Sequence, residues 1–274
     1  MSSLAPVKAG ERVVQQAVEL ARVAWGNRLV TAYALGSLAH GGFSAHVSDV
    51  DLGFVLSDPL DEGDARAVDQ LSIEVKASGV PLAERLSVYW GSIGTLSGAA
   101  SGGRFPPLDL LDLKQFGRLL AGRDVRYQLR SPTLRELVVS GAEFALKHLS
   151  TPEVTARLRN PGELANAEVK RLTKFVLYPV RFLFTARTGQ PGMNDEAVKH
   201  LSTIESGPEV ELARKGLEWR FEPPVPGDRS VVELLHNGVL PLYRMFLADY
   251  ERRLREYGEL ELAQAYREWR ERLD

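Results

Sequence analysis

Residues 31–56, TAYALGSLAHGGFSAHVSDVDLGFVL, constrain the fold of this chain more than any other stretch, because they carry three backbone instructions in a row. Residues 29–35 are apolar, partly β-branched or aromatic, and end at a Gly-Ser step, the pattern of a buried strand running into a tight turn. Gly36 has no Cβ and lets the backbone approach a ligand. Ser37 is placed to cap a short helix over residues 38–40, which Gly41 and Gly42 end. Open amides at such a helix start, with a serine hydroxyl, suit the phosphates of a nucleotide. Ser48, just before the next motif, joins Gly36 and Ser37 as a phosphate-binding candidate.

Eleven residues separate Ser37 from Asp49, and Asp49-Val50-Asp51-Leu52 then runs into the apolar Gly53-Phe54-Val55-Leu56. On a strand, residues i and i+2 share a side, so Asp49 and Asp51 point one way while Val50 and Leu52 face the core. Two neighbouring carboxylates repel unless a cation sits between them. Hard oxygen ligands that leave room for water and phosphate oxygens suit Mg²⁺. An isolated Asp-x-Asp or Gly-Ser is ordinarily a solvated turn; here the order strand, Gly-Ser, spacer, Asp-x-Asp, strand argues for phosphate and metal binding.

At these residues the chain resembles the nucleotidyltransferase superfamily related to DNA polymerase β, and within it the aminoglycoside adenylyltransferases. The resemblance implies an α/β (α+β) nucleotidyltransferase domain with a mixed β-sheet, followed by an all-α helical bundle domain. It also implies a third carboxylate on the next strand, either a metal ligand or the base for the attacking hydroxyl. That strand is read at residues 86–90, LSVYW, where the expected glutamate position holds Ser87. Glu84 lies three residues upstream and is the remaining acidic candidate there. The resemblance further places a lysine for the triphosphate at a position that is Asn194 here, leaving Lys174 and Arg181 as the nearest basic candidates. A packed, paired arginine is an equal reading of Arg181.

Composition narrows the partners. The 274 residues are 44% hydrophobic, enough for a real core, and the formal net charge is −2. A nucleic-acid binder ordinarily carries a basic stripe, so a small charged substrate fits better than a polymer. The chain has no cysteine, which excludes disulfides and thiolate metal sites. No signal peptide or membrane-length apolar run is visible, so a cytoplasmic protein without membrane partners is expected. The five histidines show no metal-ligand spacing.

Along the chain, residues 11–25 read as a helix with one apolar face. Residues 61–77 read as a second helix with Ala65, Val68, Leu71, Ile73 and Val75 turned largely inward. Residues 91–103, GSIGTLSGAASGG, read as a mobile loop, either a lid or a plain surface loop. Residues 108–120 read as a helix closing the first domain, with the boundary near Val125: 1–125 and 126–274. Beyond it lie a helix capped by Ser131 through about Ser150, and a long helix over 162–188 that Pro179 kinks or interrupts. A helix then begins at Asn194, a proline-rich connector spans 222–228, and helices cover 230–257 and 259–273. From Arg244 onward, seven arginines balance eight acids, a solvated face rather than a nucleic-acid arm.

The function the resemblance implies is transfer of a nucleoside monophosphate, AMP from ATP, onto a hydroxyl of a small molecule such as an aminoglycoside. Asp49 and Asp51 would hold Mg²⁺, and Gly36 and Ser37 the β- and γ-phosphates. Glu143, Asp109 and Asp112 are candidate acidic lining for a polycationic acceptor. The competing reading is a nucleotide-binding sensor with weak or no catalysis, which Ser87 and Asn194 favour. Monomer and homodimer are both open.

Overall fold

The computed structural model describes residues 4–273. Helix α1 (Leu4–Trp25) leads by a tight turn into strand β1 (Leu29–Leu35), short helix α2 (Gly36–His40) and strand β2 (Val50–Leu56). Helix α3 (Glu62–Ala77), strand β3 (Leu86–Ser92), short helix α4 (Ile93–Ser97), helix α5 (Pro107–Phe116) and strand β4 (Arg118–Gly122) complete the first unit, residues 1–132. The sheet order is β3-β2-β1-β4, with β1 antiparallel to β2 and β4 and β2 parallel to β3. A mixed sheet is the architecture the sequence leads one to expect.

Alternation along β2 sorts the two faces. Val50, Leu52, Phe54 and Leu56 are buried in one core with Val13, Val14, Ala17 and Ala21 of α1 and Val68, Leu71 and Val75 of α3. Tyr33, Leu35 and Val55 enter a second core on the opposite face, with Leu110 and Leu113 of α5 and Val125 and Leu129. Asp51 belongs to this second face by the period-2 rule. Burying Leu110 and Leu113 on a face that also carries a carboxylate fixes where α5 crosses the sheet.

Several sequence expectations are corrected here. Segment 91–103 is not a continuous loop. Its first residues finish β3, and Ser92 accepts from the Thr95 amide in a capping box that starts α4. Arg104 then bridges back to Trp90. The helix expected over 108–120 ends at Phe116, because Gly117 leaves helical geometry and residues 118–122 pair with β1 as an edge strand. In α3, Ala65 and Ile73 face solvent, and Asp64 is buried in the turn where an apolar residue was expected. The first compact unit runs through Pro132, with Val125 and Leu129 in its core.

The second unit, residues 133–274, is helical throughout its described part: α6 (Leu134–Leu149), α7 (Pro152–Leu158), α8 (Pro161–Ala165), α9 (Val169–Thr188), α10 (Asn194–Ile204), α11 (Pro208–Glu218), α12 (Arg229–Glu256) and α13 (Leu260–Glu271). Thr133, not Ser131, caps α6, in a reciprocal box with Glu136. The long helix expected over 162–188 is split into α8 and α9, and Pro179 lies inside α9. Rings of Phe182, Tyr243, Phe246, Tyr250, Tyr266 and Trp269 contact one another at its centre. No helix of the described residues is long and apolar enough to cross a membrane.

Candidate active site

Four elements of the first unit converge where β1 ends and β2 begins. Leu35, the last residue of β1, is the register partner of Asp51. The next residue, Gly36, has φ +57°, and a Cβ built there would lie 2.8 Å from Asp51 Oδ2. Both facts demand glycine, and together they bring the Gly-Ser turn against the carboxylate of the second motif. The sequence separated those motifs by eleven residues; the sheet register closes the gap.

The spacer is pinned from within. Ser48 Oγ is buried and accepts from Ser37 Oγ at 3.1 Å and from the Ser44 amide at 3.0 Å. Ser48 therefore sets the direction of the Ser37 hydroxyl. Arg85 Nη1 donates to the Ala45 carbonyl at 2.6 Å and ties the spacer to the start of β3. Ser37 does not cap the short helix, as was expected. The helix starts at Gly36, its cap position is Leu35, and no side chain closes it.

Helix α5 contributes what the sequence did not place. Gly53, two residues beyond Asp51 on the same face, has no side chain, and a Cβ there would meet Phe105 at 3.1 Å and Leu113 at 3.2 Å. That close approach carries Asp109 and Asp112, one turn apart on α5, to the site. Asp112 Oδ2 accepts the Gly36 amide at 2.7 Å, and its other oxygen lies 3.7 Å from His40 Nε2. The Gly36 N–H, expected to meet phosphate, is thus committed to Asp112. Asp109 is hydrogen-bonded to the hydroxyl of Tyr89 on β3. Burial, then the charges of Asp109 and Asp51, push the Tyr89 hydroxyl far above the usual tyrosine range, so it stays a proton donor.

Asp49 and Asp51 are both half-buried, flanking the fully buried Val50. They fit Mg²⁺ by donor chemistry. Among the described residues no group of three or more His, Asp or Glu could enclose an ion. Two carboxylates leave most of an octahedral shell to water and phosphate oxygens, the arrangement Mg²⁺ prefers at phosphate sites.

The remaining candidates fall elsewhere. Ser87 is the register partner of Asp51 on β3, so the position expected to carry a carboxylate is in place without one. Glu84 precedes the strand in a short turn, with its side chain 67% exposed and paired with Arg85. The structure does not bring it into the sheet beside Asp51. Lys174 and Arg181 belong to the second unit, where both cations lie against the Tyr178 ring. Arg181 Nε also donates to the Gly192 carbonyl, which ties α9 to the turn before α10. Glu143 is exposed on α6. Arg220, which no sequence signal marked, is buried, and that burial, then the nearby Arg181 charge, lowers its pKa.

No family model matches this chain, and no curated protein matches it. Among solved structures it is similar to spectinomycin adenyltransferase AAD(9) from Enterococcus faecialis, a structure determined with ATP and spectinomycin. The match has a TM-score of 0.55 at 14% identity, covering 83% of this chain and 98% of that one. At that identity the likeness shows the fold alone: an α/β unit with a mixed sheet followed by a helical unit, the architecture that the resemblance implies.

Proposed function

We propose that this protein transfers the adenylyl group of ATP to a hydroxyl of a small, amine-bearing acceptor, with Mg²⁺, releasing pyrophosphate. The observation that carries the reading is the contact geometry at Gly36: a turn with φ +57° held so close to Asp51 that a single Cβ would fall 2.8 Å from its carboxylate. A phosphate loop and an acidic pair built against each other are what a metal-bridged triphosphate requires.

In this reading Asp49 and Asp51 hold Mg²⁺, which when bound offsets phosphate charge and favours in-line attack. The Ser37 hydroxyl would turn its proton from Ser48 to the phosphates when nucleotide binds. Gly36 keeps the loop within reach of Asp51, and Asp112 fixes its peptide plane. The neighbouring structure was determined with spectinomycin, and acidic groups on α5 suit a cationic acceptor such as an aminoglycoside. A cytoplasmic setting supplies the ATP and Mg²⁺.

The competing reading is a nucleotide sensor without turnover, and one observation favours it: Ser87 stands opposite Asp51 where a catalytic carboxylate is expected. Turnover separates the two. Purified protein is incubated with ATP, Mg²⁺ and spectinomycin, or each of a panel of aminoglycosides, and pyrophosphate is followed with the product mass. Acceptor-dependent pyrophosphate with a matching adenylylated product supports the enzyme. Mg²⁺-dependent ATP binding without turnover on any acceptor supports the sensor.

A further inference from the structure

We propose that Arg85, just before β3, is the positioning residue of the metal site: its guanidinium holds the spacer that sets both Ser48 and the backbone of Asp49. The acid pair is then fixed by two devices, Asp51 by the sheet and Asp49 by Arg85. The inference rests on the nucleotide-site reading above and names the support that completes it.

Asp51 lies inside β2, with Leu35 as its register partner on one side and Ser87 on the other. Asp49 stands one residue before the strand, and pairing with β3 begins at Val50, opposite Leu86. Sheet register therefore fixes Asp51, whereas the backbone of Asp49 is set by the spacer that leads into it. A ligand outside a regular element depends on groups behind it, because such outer partners orient the ligand and tune metal affinity.

Arg85 is placed for that task. Its Nη1 donates to the Ala45 carbonyl at 2.6 Å and, more weakly, to the Ser48 carbonyl at 3.4 Å. The Ser48 carbonyl belongs to the peptide that joins Ser48 to Asp49, so the group that grips the turn also steadies the plane from which Asp49 departs. Within the turn the Ser44 carbonyl accepts the Val47 and Ser48 amides at 3.3 and 2.9 Å. Ser48 Oγ accepts the Ser37 hydroxyl at 3.1 Å. Holding Ser48 by its carbonyl thus bears on the phosphate loop and on the first acid together. A planar guanidinium with fixed donors suits two carbonyls; a lysine ammonium is a single point donor on a flexible stem.

The turn that delivers Arg85 carries strain. Leu82 has φ +71°, the only non-glycine residue with positive φ among the described residues. Its carbonyl accepts the Arg85 amide at 3.0 Å and starts the short turn Ala83–Arg85. Leucine is disfavoured at that φ, and packing of its side chain against the core of α1 and α3 holds it there. From this turn Arg85 runs inward, with its side chain 18% exposed, while Glu84 stays outside and meets its Nε at 3.4 Å.

The experiment titrates ATP into wild type, Arg85→Ala and Arg85→Lys by calorimetry at increasing Mg²⁺, with a thermal melt of each protein free of nucleotide. Loss of an outer support predicts that Arg85→Ala raises the Mg²⁺ concentration for half-maximal ATP binding by about tenfold or more. Arg85→Lys, which keeps the charge but not the fork, raises it by about threefold. Guanidinium chloride, but not the same concentration of sodium chloride, restores part of the Mg²⁺ response of Arg85→Ala, a readout that a merely structural role would not move. An unchanged Mg²⁺ requirement in folded Arg85→Ala, beside wild-type binding that needs the metal, overturns the proposal and leaves the nucleotide site standing. A raised requirement that guanidinium does not lower, and that follows the loss of melting temperature across the variants, also overturns it and assigns Arg85 to stability alone. If Arg85→Ala does not fold, Arg85→Lys carries the test, and an unchanged requirement there overturns the proposal. Wild-type ATP binding indifferent to Mg²⁺ removes both readings.

Discussion

At Gly36, conformation and space select the same residue. A side chain there meets a positive φ, which costs an L-residue about 1 kcal/mol, and also the Asp51 carboxylate. Gly36→Ala is therefore expected to weaken Mg²⁺·ATP binding by about tenfold or more while costing only about 1–2 kcal/mol of stability. Calorimetry read beside a denaturant melt checks both halves. Asp112 is expected to act through Gly36. Asp112→Asn keeps an oxygen acceptor for the amide and should preserve the KM for ATP, whereas Asp112→Ala should raise it several-fold. Equal effects from the two substitutions would refute the positioning role. The nearness of Gly36 to Asp51 was legible in the sequence because both motifs sit on adjoining ends of consecutive strands. Asp109 and Asp112 were visible only as unplaced acids, since nothing local to α5 says which strand residue will be the glycine that admits it.

Among the elements, α9 shows how an apparent defect is accommodated. Pro179 has no N–H, so the Phe175 carbonyl one turn back loses its helical partner. The buried Tyr243 hydroxyl of α12 donates to that same carbonyl at 3.0 Å. Tyr243→Phe should therefore leave a buried carbonyl unpaired and cost about 1–3 kcal/mol in a denaturant melt. In a Pro179→Ala background, where the N–H returns, the loss should shrink; an unchanged loss would refute the link. The sequence predicted a kink at Pro179, but the partner lies on a helix far along the chain. Strands β1, β2 and β3 were legible because apolar runs meet clear turn residues. Strand β4 was not, because a five-residue edge strand following a leucine-rich helix extends the helical pattern without a break in hydrophobicity. The loop read at 91–103 failed for a related reason: the Ser92 cap of α4 is hidden inside a glycine-rich stretch.

Across the whole molecule, acid sensitivity follows from a few carboxylates held in charge networks. Burial would raise the pKa of Asp64, but two guanidinium hydrogen bonds from Arg28, at 2.9 and 2.8 Å, and one from the Trp25 indole at 3.0 Å hold it below the usual range. In the second unit, burial likewise opposes ionisation of Glu251, and Arg255, Arg267 and Arg270 outweigh it. Both groups have folded pKa values below their unfolded ones. Their stabilisation is complete above the unfolded values and is lost as pH falls through the folded ones. Thermal stability should thus be level near neutrality and fall below about pH 4, with Asp64→Asn costing on the order of 2 kcal/mol at pH 7 and flattening that acid limb. A steeper acid limb in that variant would contradict the assignment. Whether the Gly-Ser turn and the acid pair form one metal-dependent nucleotide site is decided by titrating ATP into the protein with and without Mg²⁺, and again into the Asp49→Asn/Asp51→Asn variant. Binding is expected to require Mg²⁺ and to collapse in the double variant; ATP affinity indifferent to both the metal and the two substitutions would rule such a site out.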